Sequence, residues 1–419
     1  MRDSEDTRGS MRRESERRVD SSGRSRGTCD PSSRDLPWYE MVQGTISAIA
    51  REQGVSLLDS SIAQLWHGTR EQGWTDREMN DFVRSLRPPV KLILAERSTI
   101  PPLFSVSAFN PLALNEEKIE YFVQRGVNMF RHFGWTSWGM YDRESARERV
   151  YKLADANPSL LFMPTVLCDT LAHPVDYDRT VRAWGDAPAN VLIELANEPY
   201  HASQRDDLLP WCNEFKWDRP HWAAGATRDD VSHDLTNGTF VTRHFERFDG
   251  DSLHRDDSAG WRWVRHAREG WDLSGSVNKY VHDNEPRRTD MNPIKHFAAG
   301  VLAKMFRMGT TFHYSGGLIS SLPTDIERMC LEEKVRGFRL IPDEWRGLYY
   351  TPGSKECPFD SFAGAIRCYS VMTPDGKSGW VLALGTTTLL IEWREGVMTE
   401  RLERKEHPFG GCAVYRVWR

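Results

Sequence analysis

Two copies of the tripeptide Asn-Glu-Pro stand out in this chain of 419 residues, at positions 197–199 and 284–286. At ordinary residue frequencies, such a tripeptide is expected on the order of 0.05 times in a chain of this length. Each copy follows a short strand-like segment, "VLIELA" in the first case and "KYVHD" in the second. A pair of carboxylates across a cleft is suited to acid–base and nucleophilic work, so Glu198 and Glu285 are the first candidates for chemistry.

The elements that must position this pair are eight predicted strands, which alternate with amphipathic helices in a domain spanning residues 90–335. This alternation favours a (β/α)8 barrel of the α/β class; a doubly wound open sheet is the alternative, but no phosphate-binding glycine motif follows a strand. In a barrel the carboxyl ends of the strands meet at the face that carries the active site. Glu198 and Glu285, after the fourth and seventh strands, would then face each other. The predicted strands are 103–108, 127–133, 160–166, 191–196, 222–226, 239–245, 278–283 and 310–314.

The rest of the chain predicts three further segments. Residues 1–36 carry many charges and almost no large apolar side chains, so we expect a disordered tail. Residues 37–89 have apolar side chains at helical spacing and end at two prolines, which indicates a small helical extension. Residues 336–419 alternate with period two and contain turn glycines, which is typical of a small antiparallel β domain packed on the barrel.

Composition narrows the classes of partner. With 39% hydrophobic and 27% charged residues, the chain is predicted to be a soluble globular protein, and no apolar run is long enough to cross a membrane. A formal charge of -5 argues against nucleic acid as a partner. The seven cysteines contain no Cys-x-x-Cys pair, which disfavours a structural zinc site or a disulfide framework. The first residues lack the apolar stretch of a secretion signal, so we expect a cytoplasmic protein, with release by a route other than Sec left open.

The stretch "IELANEP", together with a second Glu closing the seventh strand, resembles clan A of the glycoside hydrolases. That clan contains retaining (β/α)8 enzymes such as cellulases and mannanases. The resemblance implies that Glu198 is the acid/base, that Glu285 is the nucleophile and that Asn197 binds the sugar 2-hydroxyl. It also implies an oligo- or polysaccharide substrate with β-linkages.

Other strand-end residues fit the same resemblance. Arg131 resembles the clan's arginine that keeps the nucleophile ionised, and His244 resembles a residue that often ends strand six. Strand eight usually presents a tryptophan to the sugar, whereas this sequence has Phe312 and His313 there. The pair Arg287-Arg288 after the second Glu suggests either an acidic sugar or a solvated charge pair. The residues we expect to contact substrate are Asn197, Arg131, His132, His244, Trp135, Phe312 and His313.

Sequence motifs for other kinds of chemistry are weaker or missing. Histidines near strand ends would suit a metal-dependent hydrolase, but there is no His-x-His or His-Glu-x-x-His motif. A serine nucleophile is also disfavoured, because the sequence has no Gly-x-Ser-x-Gly elbow. We therefore expect neither a metal nor an organic cofactor. Glu246, near the end of the sixth predicted strand, is the alternative nucleophile. A barrel that binds carbohydrate or a protein partner without hydrolysis is the competing hypothesis, because the strand-eight tryptophan is missing.

Overall fold

The computed structural model describes residues 103–135, 142–228, 235–245, 261, 263–286, 290–351, 354–365, 367–386, 389–406 and 411–419. Several predictions fall outside these residues. They are the tail 1–36, the helical unit 37–89, the first residues of the barrel domain, Glu246 and the pair Arg287-Arg288.

The strands of the barrel are all parallel and follow the chain around one sheet, as predicted. The fifth strand consists of two short pieces, one paired with the fourth strand and the other with the sixth, so the barrel is nearly closed, with one isolated bridge between Asn197 and Ala226. The pieces are separated by Gly225 at φ 144°, where a Cβ would lie 2.7 Å from the Ala196 carbonyl oxygen. The strands are β1 Phe104–Ser107, β2 Met129–Phe133, β3 Leu161–Leu167, β4 Ile193–Ala196, β5 Trp222–Ala223, β6 Thr227–Arg228, β7 Val241–His244, β8 Val281–Asp283 and β9 Gly309–Phe312.

Seven described α-helices accompany the strands. Their starts follow ordinary capping chemistry: the Asp142 side chain accepts from the Ser145 amide, and Asn292 caps a helix whose first residue is Pro293. The helices are α1 Glu116–Gln124, α2 Arg143–Ala156, α3 Tyr177–Arg182, α4 Leu208–Glu214, α5 His266–Val277, α6 Pro293–Met305 and α7 Asp325–Arg339. None of these described helices has the length and apolar character needed to cross a membrane.

The inside of the barrel changes character from bottom to mouth. Side chains alternate along each strand, so residues two apart share the interior. The bottom is an apolar plug that includes Leu103, Met129 and Tyr280. Gly309 gives it room, because a Cβ there would lie 2.0 Å from His282 Nδ1 and 2.4 Å from the Tyr280 hydroxyl. Above the plug the interior side chains are polar, as far as the carboxyl ends of the strands.

The predicted C-terminal β domain is present as an antiparallel sheet of order β10-β12-β13-β16-β15, with the pair β11-β14 beside it. It packs on α6 through an apolar cluster that joins Val301 and Leu302 of the helix to Val371 and Leu382 of the sheet. Helix α7 runs past the predicted domain boundary at 335. The strands are β10 Leu348–Tyr350, β11 Phe359–Ala363, β12 Arg367–Met372, β13 Ser378–Thr386, β14 Leu390–Trp393, β15 Met398–Lys405 and β16 Gly411–Trp418.

Candidate active site

Glu198 and Glu285 lie at the mouth of the barrel, on either side of one imidazole ring. His244, at the end of β7, is 2.9 Å from Glu198 Oε1 through Nδ1. Its Nε2 is 3.2 Å from Glu285 Oε2, without the alignment of a hydrogen bond. The two carboxylate side chains are 10% and 12% exposed, whereas His244 is fully buried. The tripeptides that were predicted to face each other are therefore joined by a residue from a third strand.

A buried ion pair lies beneath the two carboxylates. Arg131 on β2 donates to Glu194 on β4 through Nε (3.2 Å) and Nη2 (2.9 Å), and both side chains are fully buried. Glu194 also accepts from the Thr165 hydroxyl and, at 2.5 Å, from the Asn284 amide. A buried carboxylate is stable only when it is paired and hydrogen-bonded, and this one has partners on the second, third and seventh barrel strands.

Arg131 connects this buried pair to the exposed one. Its Nη1 donates to Glu285 Oε2 at 3.0 Å, and its Nη2 donates to Asn197 Oδ1 at 2.9 Å. Burial disfavours the charged guanidinium, but attraction from Glu194 and Glu285 outweighs it and raises the pKa of Arg131 above its usual value. A permanent positive charge is thus fixed against Glu285.

The eighth strand contributes a second histidine. His313 Nε2 lies 3.7 Å from Glu285 Oε1, and its Nδ1 is 2.8 Å from the Ser107 hydroxyl. Its ring is also 5.6 Å from that of Phe109, which stacks on Phe133 with centroids 4.1 Å apart. The end of strand eight, where the resemblance predicts a tryptophan, therefore carries an imidazole 3.7 Å from the Glu285 carboxylate.

The backbone at Glu198 has an unusual conformation. Its φ is +40°, in the left-handed region, which costs a non-glycine residue roughly 1–2 kcal/mol. The turn that follows is closed by the His201 amide, which donates to the Glu198 carbonyl oxygen at 2.8 Å. Such a conformation persists only where the surroundings fix it, and it is found most often at functional sites.

Six of the nine predicted site residues come together at this mouth: Glu198, Glu285, Asn197, Arg131, His244 and His313. His132 faces the other side of β2, where its ring lies beside those of Phe130 and Phe162 and its Nδ1 is 2.5 Å from the Ala108 carbonyl oxygen. Burial lowers the pKa of His132 to about 4.

Two other predicted residues also lie away from the six. Phe312 is buried in the apolar cluster outside the strands, stacked on Tyr314. Trp135 is half-buried just beyond β2, against the His173 ring at 4.0 Å and the Arg143 guanidinium at 4.7 Å.

Glu194 is the site residue that the sequence analysis missed. It lies inside the apolar run "VLIELA", where an unpaired charge would be very costly. This cost could have revealed the role of Glu194, because a glutamate in a buried strand requires a cation at the same level of the barrel. Arg131 was the candidate cation. In the part of the chain that the structure describes, no group of three or more His, Cys, Asp or Glu side chains is arranged to hold a metal ion.

No protein-family model matches the chain, and no curated protein matches it. Solved structures of glycoside hydrolase family 5 resemble it weakly. One, from Bacteroides vulgatus, has a TM-score of 0.46 and 12% identity over 76% of this chain and 89% of its own. A Bacteroides ovatus xyloglucanase has a TM-score of 0.37 and 9% identity, over 58% of this chain and 76% of its own. A Rhizomucor miehei mannosidase has a TM-score of 0.36 and 11% identity, over 57% of this chain and 93% of its own. The barrel itself is evident from the order of its parallel strands.

Proposed function

We propose that the protein is a retaining glycoside hydrolase of clan A type that cleaves a β-linked oligo- or polysaccharide. The observation that carries the proposal is the unequal surroundings of two neighbouring carboxylates. Glu285 lies against the permanent charge of Arg131, which favours its ionised form. Glu198 Oε1 instead faces the imidazole of His244, at 2.9 Å from Nδ1. Two carboxylates with different surroundings are what a double-displacement glycosidase requires.

The proposed reaction has two steps. Glu198, as a carboxylic acid, donates its proton to the glycosidic oxygen while Glu285 attacks the anomeric carbon, so the glycosidic bond breaks and a glycosyl ester of Glu285 forms. Glu198, now a carboxylate, then removes a proton from a water molecule. That water attacks the anomeric carbon, releases Glu285 and restores the proton on Glu198.

Asn197 is suited to orient the sugar next to these carboxylates. Its Oδ1 accepts from Arg131, so its amide NH₂ is directed elsewhere and is the group we assign to the sugar 2-hydroxyl. A hydrogen bond at this hydroxyl that strengthens in the transition state would contribute to the rate. Arg131 would in this way align Asn197 and Glu285 with one guanidinium.

The decisive experiment is the stereochemistry of the first product. The purified protein is incubated with a panel of aryl β-glycosides and β-linked oligosaccharides, and proton NMR follows the anomeric signals of the released sugar. Retention of the β-anomer is expected. An initial α-anomer would mean inversion and would remove the glycosyl ester from the mechanism. Trapping with a 2-deoxy-2-fluoro glycoside should add the sugar to the peptide that contains Glu285.

A barrel that binds glycan without cleaving it is the second candidate function. It is favoured by the close surroundings of Glu285, whose side chain is 12% exposed and lies near Arg131, His244 and His313. Binding measured by calorimetry with the same oligosaccharides, together with no turnover over days, would establish this function instead.

A further inference from the structure

A buried glutamine side chain holds the peptide bond that leads into Glu198. Gln204 Nε2 donates to the carbonyl oxygen of Asn197 at 2.9 Å, and the Gln204 residue is 6% exposed. The preceding peptide unit, between Ala196 and Asn197, is held as well, because the Asn197 amide donates to the Leu167 carbonyl oxygen at 3.0 Å. Gln204 therefore orients the peptide plane between Asn197 and Glu198, and the end of β3 orients the plane before it.

Gln204 is itself held in one orientation. Its Oε1 accepts from the Thr170 amide at 3.0 Å and from the Thr170 hydroxyl at 2.9 Å. The Thr170 hydroxyl in turn accepts from the Arg205 amide at 3.0 Å, and Thr170 is fully buried. With a donor on one side of the amide and an acceptor on the other, only one of its two flipped forms satisfies both contacts.

These contacts join the loop after β3 to the loop after β4. The Leu171 amide adds a second link, to the Ser203 carbonyl oxygen at 3.0 Å. The residue that follows the fixed peptide is Glu198, with its left-handed φ of +40°. A backbone in this region needs its surroundings to hold it, and the orientation of the peptide before it helps to set the direction of the side chain.

We propose that Gln204 is a positioning residue for Glu198. Through the Asn197 carbonyl it fixes the backbone turn, and so it aims the Glu198 carboxyl at the oxygen of the leaving group. This inference rests on the proposed function, in which Glu198 is the acid/base. It predicts that loss of the Gln204 amide impairs proton donation and spares the nucleophilic attack by Glu285.

The test compares two leaving groups on one sugar. A phenyl β-glycoside needs a proton on its departing oxygen, whereas a 2,4-dinitrophenyl β-glycoside departs without one, and kcat/KM reports the step that forms the glycosyl ester. For Gln204→Leu, a misplaced acid should lower kcat/KM for the phenyl glycoside by roughly 10- to 100-fold. The value for the dinitrophenyl glycoside should change by less than about threefold, because that step does not use the acid.

Two companion variants refine the test. Gln204→Glu keeps an acceptor for Thr170 but replaces the donor with an oxygen that faces the Asn197 carbonyl, so the same pattern is expected. Thr170→Val removes one contact to Gln204 Oε1 and keeps the backbone N–H, so a smaller effect of the same kind is expected. If thermal unfolding shows that the Gln204 variants do not fold, Thr170→Val is compared with the wild-type protein instead. Gln124→Leu, on the surface of α1, is the matched control and should change neither rate.

An equal loss with both glycosides would overturn the inference, because it would mean a general structural role. Unchanged rates in folded Gln204 variants would overturn it as well. A wild-type protein that cleaves neither glycoside, nor any member of the β-glycoside panel, would instead overturn the proposed function and the inference with it.

Discussion

The two Asn-Glu-Pro turns have the same sequence and follow parallel strands, yet their neighbours differ. Asn197 accepts a hydrogen bond from Arg131, whereas Asn284 donates one to Glu194. The glutamate of the first turn contacts an imidazole, and that of the second also contacts a guanidinium. Identical tripeptides thus receive different surroundings from other strands of the barrel, and their different proposed roles follow from those surroundings.

Replacing Glu285 should have the largest effect on this comparison. Glu285→Gln is expected to lower kcat by more than about 10⁴-fold with any leaving group, because the variant lacks the attacking oxygen. Steady-state rates with the phenyl and dinitrophenyl glycosides measure the loss, and circular dichroism checks the fold. Full activity in this variant would remove Glu285 from the mechanism.

The matching change in the first turn should give a different pattern. Glu198→Gln is expected to lower kcat/KM for the phenyl glycoside by roughly 10²–10⁴-fold, the usual contribution of acid–base catalysis. The dinitrophenyl glycoside should keep most of its kcat/KM, and added azide should yield a β-glycosyl azide. If both turns gave the same pattern, the two carboxylates would not have separate roles.

The buried carboxylate below the turns can be tested through stability. Glu194→Gln leaves the Arg131 charge without its buried partner and should lower the free energy of unfolding by about 3–5 kcal/mol. Urea denaturation at neutral pH measures the change. Glu332→Gln is the matched control: its pair with Arg125 is exposed, so a loss of at most about 1 kcal/mol is expected. Similar losses in the two variants would contradict the structural importance of the buried pair.

The strand that carries the second turn predicts a pH effect. Burial, reinforced by the charges of Arg131 and Lys334, lowers the pKa of His282 from 6.5 to about 3. The unfolded chain then binds a proton that the folded chain does not, so stability is fully present above pH 6.5 and falls as the pH decreases. His282 accounts for up to about 3 kcal/mol of this fall between pH 6.5 and 4.

Replacing His282 tests this effect. In His282→Gln the stability should depend less on pH over this range, as measured by denaturation at several pH values. A slope equal to that of the wild-type protein would show that His282 is not the group responsible.

The strands, and the positions of Glu198 and Glu285 just after two of them, were predictable because periodicity and strand ends are local properties of the sequence. Which of two adjacent strand residues faces the interior was harder. Arg131 and His132 were both assigned to the site, but side chains alternate, so only one of them can lie there. His313 and Phe312 gave the same ambiguity. The role of Glu194 depends on Arg131, 63 residues away in sequence, and no local pattern contains that contact.

Helix α6 packs on the C-terminal sheet as well as on the barrel, and its residues from His296 to Met305 are all buried. None of these residues faces water, so this part of the helix belongs to the core of the barrel and to the core of the sheet. The sheet is therefore not a detachable module of the chain. A barrel cut free after α7 would carry an apolar helix on its surface, and domain exchange between barrels of this type would have to transfer the sheet together with the helix that it covers.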